Sequence, residues 1–240
     1  MLHTKTASII GTAGWTIPAQ YKDSFPQTGS HLERYAARLP GVEINSSFYR
    51  PHQRKTYERW AASVPGNFRF SVKLPRTITQ NHRLKDYGDL LERFAEEVSG
   101  LGEKLGVLLV QLPPSLGYDA EAAAAFFDDL RRRSKAAIAC EPRHASWFAP
   151  DADAALKKLN IARVAADPPR AAADGTPGGW IGPAYWRLHG SPKIYYSEYS
   201  DAALRAIAPR LRSGDWCIFD NTAAFAALGN ALTLAGLTDA

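Results

Sequence analysis

Along this chain, short apolar runs of strand length alternate with longer stretches in which apolar residues recur every three or four positions. Eight runs predict strands: 8–14 (SIIGTAG), 42–48 (VEINSSF), 68–74 (FRFSVKL), 106–112 (GVLLVQL), 136–141 (AAIACE), 161–167 (IARVAAD), 184–190 (AYWRLHG) and 216–221 (WCIFDN). Helical spacing predicts helices over 30–39, 52–63, 90–101, 119–133, 151–159, 201–211 and 222–235. Ser30 and Glu33 form a capping-box pattern at the first of these, and Pro209 breaks the sixth near its end. The connection 168–183 (PPRAAADGTPGGWIGP) is rich in Pro and Gly and shows no helical pattern.

Strand followed by helix, repeated from end to end, predicts an α/β protein. The number of repeats points to a (β/α)₈ TIM-type barrel, a single domain over 1–240 with an irregular segment between strands six and seven. An open doubly wound sheet is the alternative, since closure does not show in a sequence. Composition agrees with a folded chain: 45% of the 240 residues are apolar and 22% charged. The longest apolar runs are too short to span a bilayer, and the N-terminal stretch lacks the apolar core and cleavage site of a secretory leader. No membrane association and a cytoplasmic location are therefore expected. Cys140 and Cys217 lie in apolar strand runs with no CxxC pattern, which predicts buried free thiols. The net charge of +5 is spread along the chain and suits an anionic small molecule or a nucleic acid as partner without choosing between them.

The polar residues at the strand ends change the picture most. In a barrel, chemistry gathers at the C-terminal ends of the strands. Here those ends carry Thr12 and Trp15; Glu43, Asn45 and Ser47; Ser71 and Lys73; Gln111; Glu141 and Arg143; Asp167; Arg187 and His189; and Asp220 and Asn221. Glu43 with Asn45, and Glu141 with Arg143, share a face because strand side chains alternate. Groups of this kind must pair with one another or face a wet cavity, because burying them unpaired is costly.

Several longer motifs carry a family resemblance: GTAGW, LERYA, VEINSSFYR, the FRFSVKLPR stretch, KLGVLLVQLPPS, CEPRHASWF, RLHG and FDNTA. Over about residues 9–234 the chain resembles the YecE-like family, a domain of unknown function. The matching positions include Gly14, Trp15, Glu43, Asn45, Phe48, Tyr49, Lys73, Gln111, Glu141, Arg143, His144, Trp147, Arg187, His189, Gly190, Asp220 and Asn221. The resemblance implies a TIM-type barrel and carries no activity with it.

The residues themselves favour an enzyme acting on a small phosphorylated or otherwise anionic substrate by general acid–base chemistry. Glu141, Asp220 and His189 are the candidate proton carriers, and Lys73 a candidate base or anion clamp. Glu43, Asn45, Gln111, Arg143, Asp167, Arg187, Lys193, Asn221, Trp15 and Tyr49 are the candidate binding residues. Two loops, RLHGSPK after strand seven and DNTAAF after strand eight, offer backbone N–H groups where barrels often hold phosphate. No metal or other cofactor is expected, because no HxH or HExxH is present and Lys73 and Arg143 oppose a cation. Still, Glu43, Glu141, Asp167, His189 and Asp220 keep a divalent-metal phosphoester hydrolase or nuclease as one alternative. The other is a non-catalytic nucleic-acid or partner-binding protein, with Trp15, Tyr49, Trp147 and the YYSEY run (195–199) as stacking rings. A GxSxG elbow and a dinucleotide fingerprint are absent.

Overall fold

The computed structural model describes residues 8–169 and 174–238. Residues 1–7, and 170–173 within the Pro/Gly-rich connection, lie outside the described residues. The chain has an α/β fold in which strands and helices alternate. Its elements are β1 (Ile9–Thr12), α1 (His31–Ala36), β2 (Gly41–Ile44), α2 (Arg54–Ala62), β3 (Arg69–Lys73), α3 (Gly88–Val98), β4 (Leu105–Gln111), α4 (Ala120–Arg133) and β5 (Ala137–Glu141). There follow α5 (Pro150–Lys158), β6 (Ile161–Arg163), β7 (Ala165–Asp167), β8 (Gly178–Gly179), β9 (Tyr185–Leu188), α6 (Asp201–Ile207), β10 (Trp216–Phe219) and α7 (Ala226–Thr238).

The helices start where the side chains supply caps. Ser30 accepts from the Glu33 N–H at 3.3 Å while Glu33 accepts from the Ser30 N–H at 2.7 Å, the reciprocal pattern expected at α1. Asp119 caps α4 and Ser200 caps α6. α6 passes into a tight turn at Ala208–Arg210, where Pro209 ends the regular ladder. The last helix begins later than its apolar pattern predicts. Residues 222–225 form turns, and Phe225 adopts a φ of 63°, which a continuing α-helix does not permit.

Two sheets run in the orders β2-β3-β4-β5-β6-β8 and β1-β10-β9-β7. All pairings are parallel except β6 with β8. An isolated parallel bridge joins Ala13, just beyond β1, to Glu43 of β2. The strand expected over 161–167 is two strands. It changes partner at Val164: β6 pairs with β5, and β7 pairs with β9. The 168–183 connection forms no helix among its described residues; its one regular element is β8.

Alternation along the strands divides the apolar core in two. Leu108, Val110, Ile138, Cys140, Trp186, Leu188, Cys217 and Phe219 belong to the large cluster beneath the helices. Their neighbours Val107, Leu109, Ala139, Tyr185, Trp216 and Ile218 make a smaller cluster on the opposite face. Both cysteines are free and buried, and burial pushes each thiol well above its ordinary value. Among the described residues no helix is long and apolar enough to cross a membrane.

Candidate functional site

The smaller apolar cluster gives way to polar groups toward the strand ends. Tyr185, Arg187 and His189 follow one another at every second position of β9 and just past its end; Ile218 and Asp220 do the same along β10. Gln111 and Glu141 are register partners of β4 and β5, which sets their side chains next to each other; Gln111 Nε2 donates to Glu141 Oε2 at 2.9 Å.

Arg187 is the centre of this layer and has no exposed surface. Its Nε and Nη2 donate to Glu43 Oε2 and Oε1 at 2.9 and 2.7 Å, and Nη1 donates to Glu141 Oε2 at 3.0 Å. Nη2 also lies 3.0 Å from Asp220 Oδ2. Burial alone would favour a neutral guanidine, but Asp220, Glu43 and Glu141 outweigh it and hold Arg187 well above its ordinary value. Tyr185 closes the far side of Glu43, donating at 2.9 Å to Oε2 and standing 2.8 Å from Ser71 Oγ.

His189 lies between two carboxylates. Nδ1 is 3.0 Å from Asp220 Oδ2 and Nε2 is 3.0 Å from Glu141 Oε1. Burial raises both carboxyls, yet the Arg187 and His189 charges overcome it and hold Glu141 well below, and Asp220 below, the usual carboxylate range. Ionised carboxylates only accept, so both ring nitrogens donate and the ring is an imidazolium. Its pKa is accordingly raised: burial pulls it down, and the charge of Glu141 with the two hydrogen bonds prevails.

Above this layer opens a cavity of about 570 Å³, within the range of small-molecule sites. Asn45, Tyr49, Lys73, Gln111, Arg143 and Asp220 line it, as expected of strand-end residues. Lys73 is only 4% exposed. Its Nζ sits 4.0 Å from the centre of the Phe48 ring, and no hydrogen bond or ion pair holds it among the described residues. Burial, with Arg187 adding to it, pushes its pKa down to about 8 against the opposing pull of Glu43, Glu141 and Asp220. Arg143 reaches Glu141 Oε1 at 3.4 Å through Nη2, and its buried Nε has no partner; Asn45 Oδ1 is likewise unpartnered.

The sequence did not single out three further lining residues, Arg76, Gln80 and Ala223, and named Phe48 only among the family-matching positions. Arg76 and Gln80 follow β3 around a one-turn π-helix (Thr77–Asn81), an irregular element that no apolar period announces. Gln80 donates to the Gln111 carbonyl at 3.1 Å. Phe48 follows β2, and Ala223 lies in the turn that delays α7. Tyr185, part of the buried layer, was legible in the alternation that places Arg187 and His189.

Other expected binding residues lie away from the cavity. Asp167 accepts from the Tyr199 hydroxyl at 2.8 Å, and its carbonyl accepts from the His189 N–H at 2.7 Å. Asn221 donates to the Ser197 carbonyl and to Asn230 Oδ1, both at 2.9 Å. These two anchor the loop whose Tyr195 and Tyr196 line the cavity. Lys193 lies over the Tyr196 ring at 4.2 Å, and Trp15 packs edge-on against Trp60 at 5.0 Å. In the loop expected to cradle phosphate, the Gly190 N–H already donates to the Tyr199 hydroxyl at 2.9 Å. Gly190 has a φ of 94°, and a Cβ there would stand 2.7 Å from the Ser197 carbonyl, so only glycine fits.

Among the described residues no group of three or more His, Cys, Asp and Glu side chains is arranged to hold a metal ion. Glu43, Glu141 and Asp220 turn toward one guanidinium, so this donor set lends the divalent-metal alternative no support.

Known proteins are similar to this chain in sequence or in fold. The UPF0759 protein YecE of Escherichia coli (strain K12) is 29% identical over 141 residues, covering 58% of this chain and 50% of YecE. The UPF0759 protein YunF of Bacillus subtilis (strain 168) is 27% identical over 150 residues, covering 59% of this chain and 52% of YunF. The chain thus spans about half the length of the curated relatives it matches. A crystal structure of a DUF72 family protein from Thermotoga maritima superposes with a TM-score of 0.76 at 22% identity, covering 98% of this chain and 100% of that one. One from Enterococcus faecalis gives 0.75 at 20% identity, covering 97% and 95%. Identities this low speak for the shared fold alone. Residues 9–240 match the family described as a protein of unknown function, DUF72, and this chain, in keeping with its YecE-like motifs, belongs to that family.

Proposed function

We propose that this protein is an enzyme that takes a small phosphorylated or otherwise anionic substrate into the strand-end cavity and works on it by general acid–base chemistry. One observation carries the reading, the division of charge around the cavity. The buried carboxylates are already matched to Arg187 and His189, whereas Lys73, Arg76 and Arg143 line the space with Asp220 as the one acid among the lining residues. Excess positive charge between low-dielectric walls draws an anion in and holds it without a large reorganisation of the site.

The same proposal takes the two sheets as one closed (β/α)₈ barrel in a single cytoplasmic domain. The Ala13–Glu43 bridge and the passage from β6 through Val164 to β7 support closure, because together they give every parallel strand a neighbour on both sides. Working groups then sit at the C-terminal mouth, where barrels place them. Asp220 is the proton acceptor: Oδ2 is taken by His189 and Arg187, and Oδ1 has no protein partner among the described residues. His189 and Glu141 stand behind it and fix its direction, and Lys73 is the second proton carrier.

Titration with inorganic phosphate, a sugar phosphate and a mononucleotide, followed by calorimetry and thermal unfolding at two salt concentrations, tests this reading. At least one of these should raise the unfolding midpoint, and less so at high salt. No shift with any of them, alongside salt-dependent binding of single-stranded DNA or RNA without turnover, favours the second reading, a nucleic-acid-binding protein. That reading draws on Tyr49 and Tyr196, which line the cavity yet remain 68% and 49% exposed, as stacking surfaces for bases.

A further inference from the structure

We propose that Lys73 is an amine nucleophile that forms a Schiff base with a substrate carbonyl, so that the ligand of this cavity is an aldehyde or ketone carrying an anionic group. The inference rests on the anion-site reading and adds the substrate's reacting group. Lys73 sits at the end of β3 on the cavity wall, with the apolar face of Phe48 beside its amine and no carboxylate within ion-pair distance among the described residues. The acids that would ordinarily claim a buried lysine, Glu43, Glu141 and Asp220, are held by Arg187 and His189 instead. Lys104 shows the contrast: its ammonium donates to the carbonyls of Ala61 and Val64, both at 2.6 Å.

A lysine becomes a nucleophile when a dry pocket or a neighbouring cation favours its neutral form. Burial and Arg187 act on Lys73 in this way and bring it to about 8. At pH 7 about a tenth of such an amine is unprotonated, against a few parts in ten thousand for an ordinary lysine. The neutral amine adds to the carbonyl carbon, forming the C–N bond as the C–O π pair moves to oxygen. Counted from the ammonium form, nitrogen gives up two protons to that oxygen, which leaves as water, and the C=N bond keeps the positive charge. Asp220 is the lining base that passes protons between nitrogen and oxygen. Arg76 and Arg143 take the anionic end, and the unpartnered Asn45 Oδ1 is left to accept from a substrate hydroxyl.

The test uses the wild-type chain, dihydroxyacetone phosphate as the anionic probe, dihydroxyacetone as its neutral counterpart, and cyanoborohydride to reduce any imine to a stable secondary amine. Peptide mapping by mass spectrometry then reads the label at each lysine. The expected result is labelling of Lys73 by the phosphorylated probe at more than about tenfold the rate of exposed lysines, suppressed by inorganic phosphate and weaker with the neutral probe. Labelling that spares Lys73 while phosphate still raises the unfolding midpoint overturns the Schiff base and leaves the anion site standing. Labelling of Lys73 to the same extent by both probes, insensitive to phosphate, overturns the anionic half of the inference and the reading beneath it. A K73R chain of unchanged stability should lose that adduct; if an equal yield appears at another cavity position, the assignment to Lys73 fails.

Discussion

Arg187 and Glu43 meet fork to fork, Nε to Oε2 and Nη2 to Oε1 at 2.9 and 2.7 Å, and neither has any exposed surface. The pair joins β9 to β2 across the polar layer. Its guanidinium also serves Glu141 and Asp220, so removing it leaves three buried acids with much less compensation.

R187M is therefore expected to lose about 3–5 kcal/mol of stability, the usual cost of leaving a buried charge unmatched. E43Q should lose less: the amide oxygen still accepts from Arg187 Nε and Tyr185 and two carboxylates still balance the guanidinium, while only the Nη2 contact is lost to a facing amide NH2. Urea unfolding of both variants checks the order. If R187M were no worse than E43Q, Arg187 would not be the hub of the layer.

The imidazolium of His189 gives the fold a pH signature. Its folded pKa is raised, so its contribution is fully present below about 6.5 and is lost as pH rises through the folded value. Glu141 and Asp220 are held low, so theirs is present above the ordinary carboxylate range and is lost as pH falls through their folded values. Between pH 5.5 and 7.5 the wild-type chain should lose more stability with rising pH than H189Q does, because Lys73 titrates alike in both and only the wild type carries the raised His189. Parallel slopes in paired unfolding series would mean that His189 is neutral in the fold.

Much of this layer was legible because strand alternation is a strict geometric rule. Knowing that Glu43, Glu141, Arg187 and Asp220 end apolar strands is enough to bring them to one level. Alternation does not say which acids pair with which base; the forked contact of Arg187 decides that, and it moves Glu141 from the cavity wall into the layer below. Asp167 and Asn221 lie away from the cavity for a related reason. Both end strands, but their side chains meet Tyr199 and Asn230 from distant loops, contacts with no local period. Arg76 and Gln80 escaped notice because a single π-turn carries them, and in the 161–167 run the sequence gives no sign that the strand changes partner at Val164.

Those loop contacts have a consequence for binding. Asn230 accepts at Oδ1 from the Tyr199 N–H at 3.0 Å and from Asn221 at 2.9 Å, and donates to the Tyr199 carbonyl at 3.0 Å. N230A unties that end of the 195–199 segment and should cost about 2 kcal/mol through the buried groups it leaves unsatisfied. Because Tyr195 and Tyr196 line the cavity, phosphate affinity should fall as well, with faster amide exchange confined to 189–200. Faster exchange spread over the whole chain would instead report general destabilisation.

Arg143 differs from Arg187 in what it is free to do. It stands 3.4 Å from Glu141, an acid already bonded to Arg187, His189 and Gln111, and its Nε has no partner. Glu141 and Tyr195 keep it charged against the opposing effect of burial. R143M should accordingly leave stability within about 1 kcal/mol, since Glu141 remains compensated, while a lost charge-assisted bond to an anion weakens inorganic phosphate binding by about tenfold or more. The salt dependence of binding should become shallower in the same variant, because one cation has left the cavity wall. Calorimetric titrations of wild type and R143M at two salt concentrations measure both effects. Unchanged affinity with a large loss of stability would reverse the assignment and make Arg143 a structural partner of Glu141.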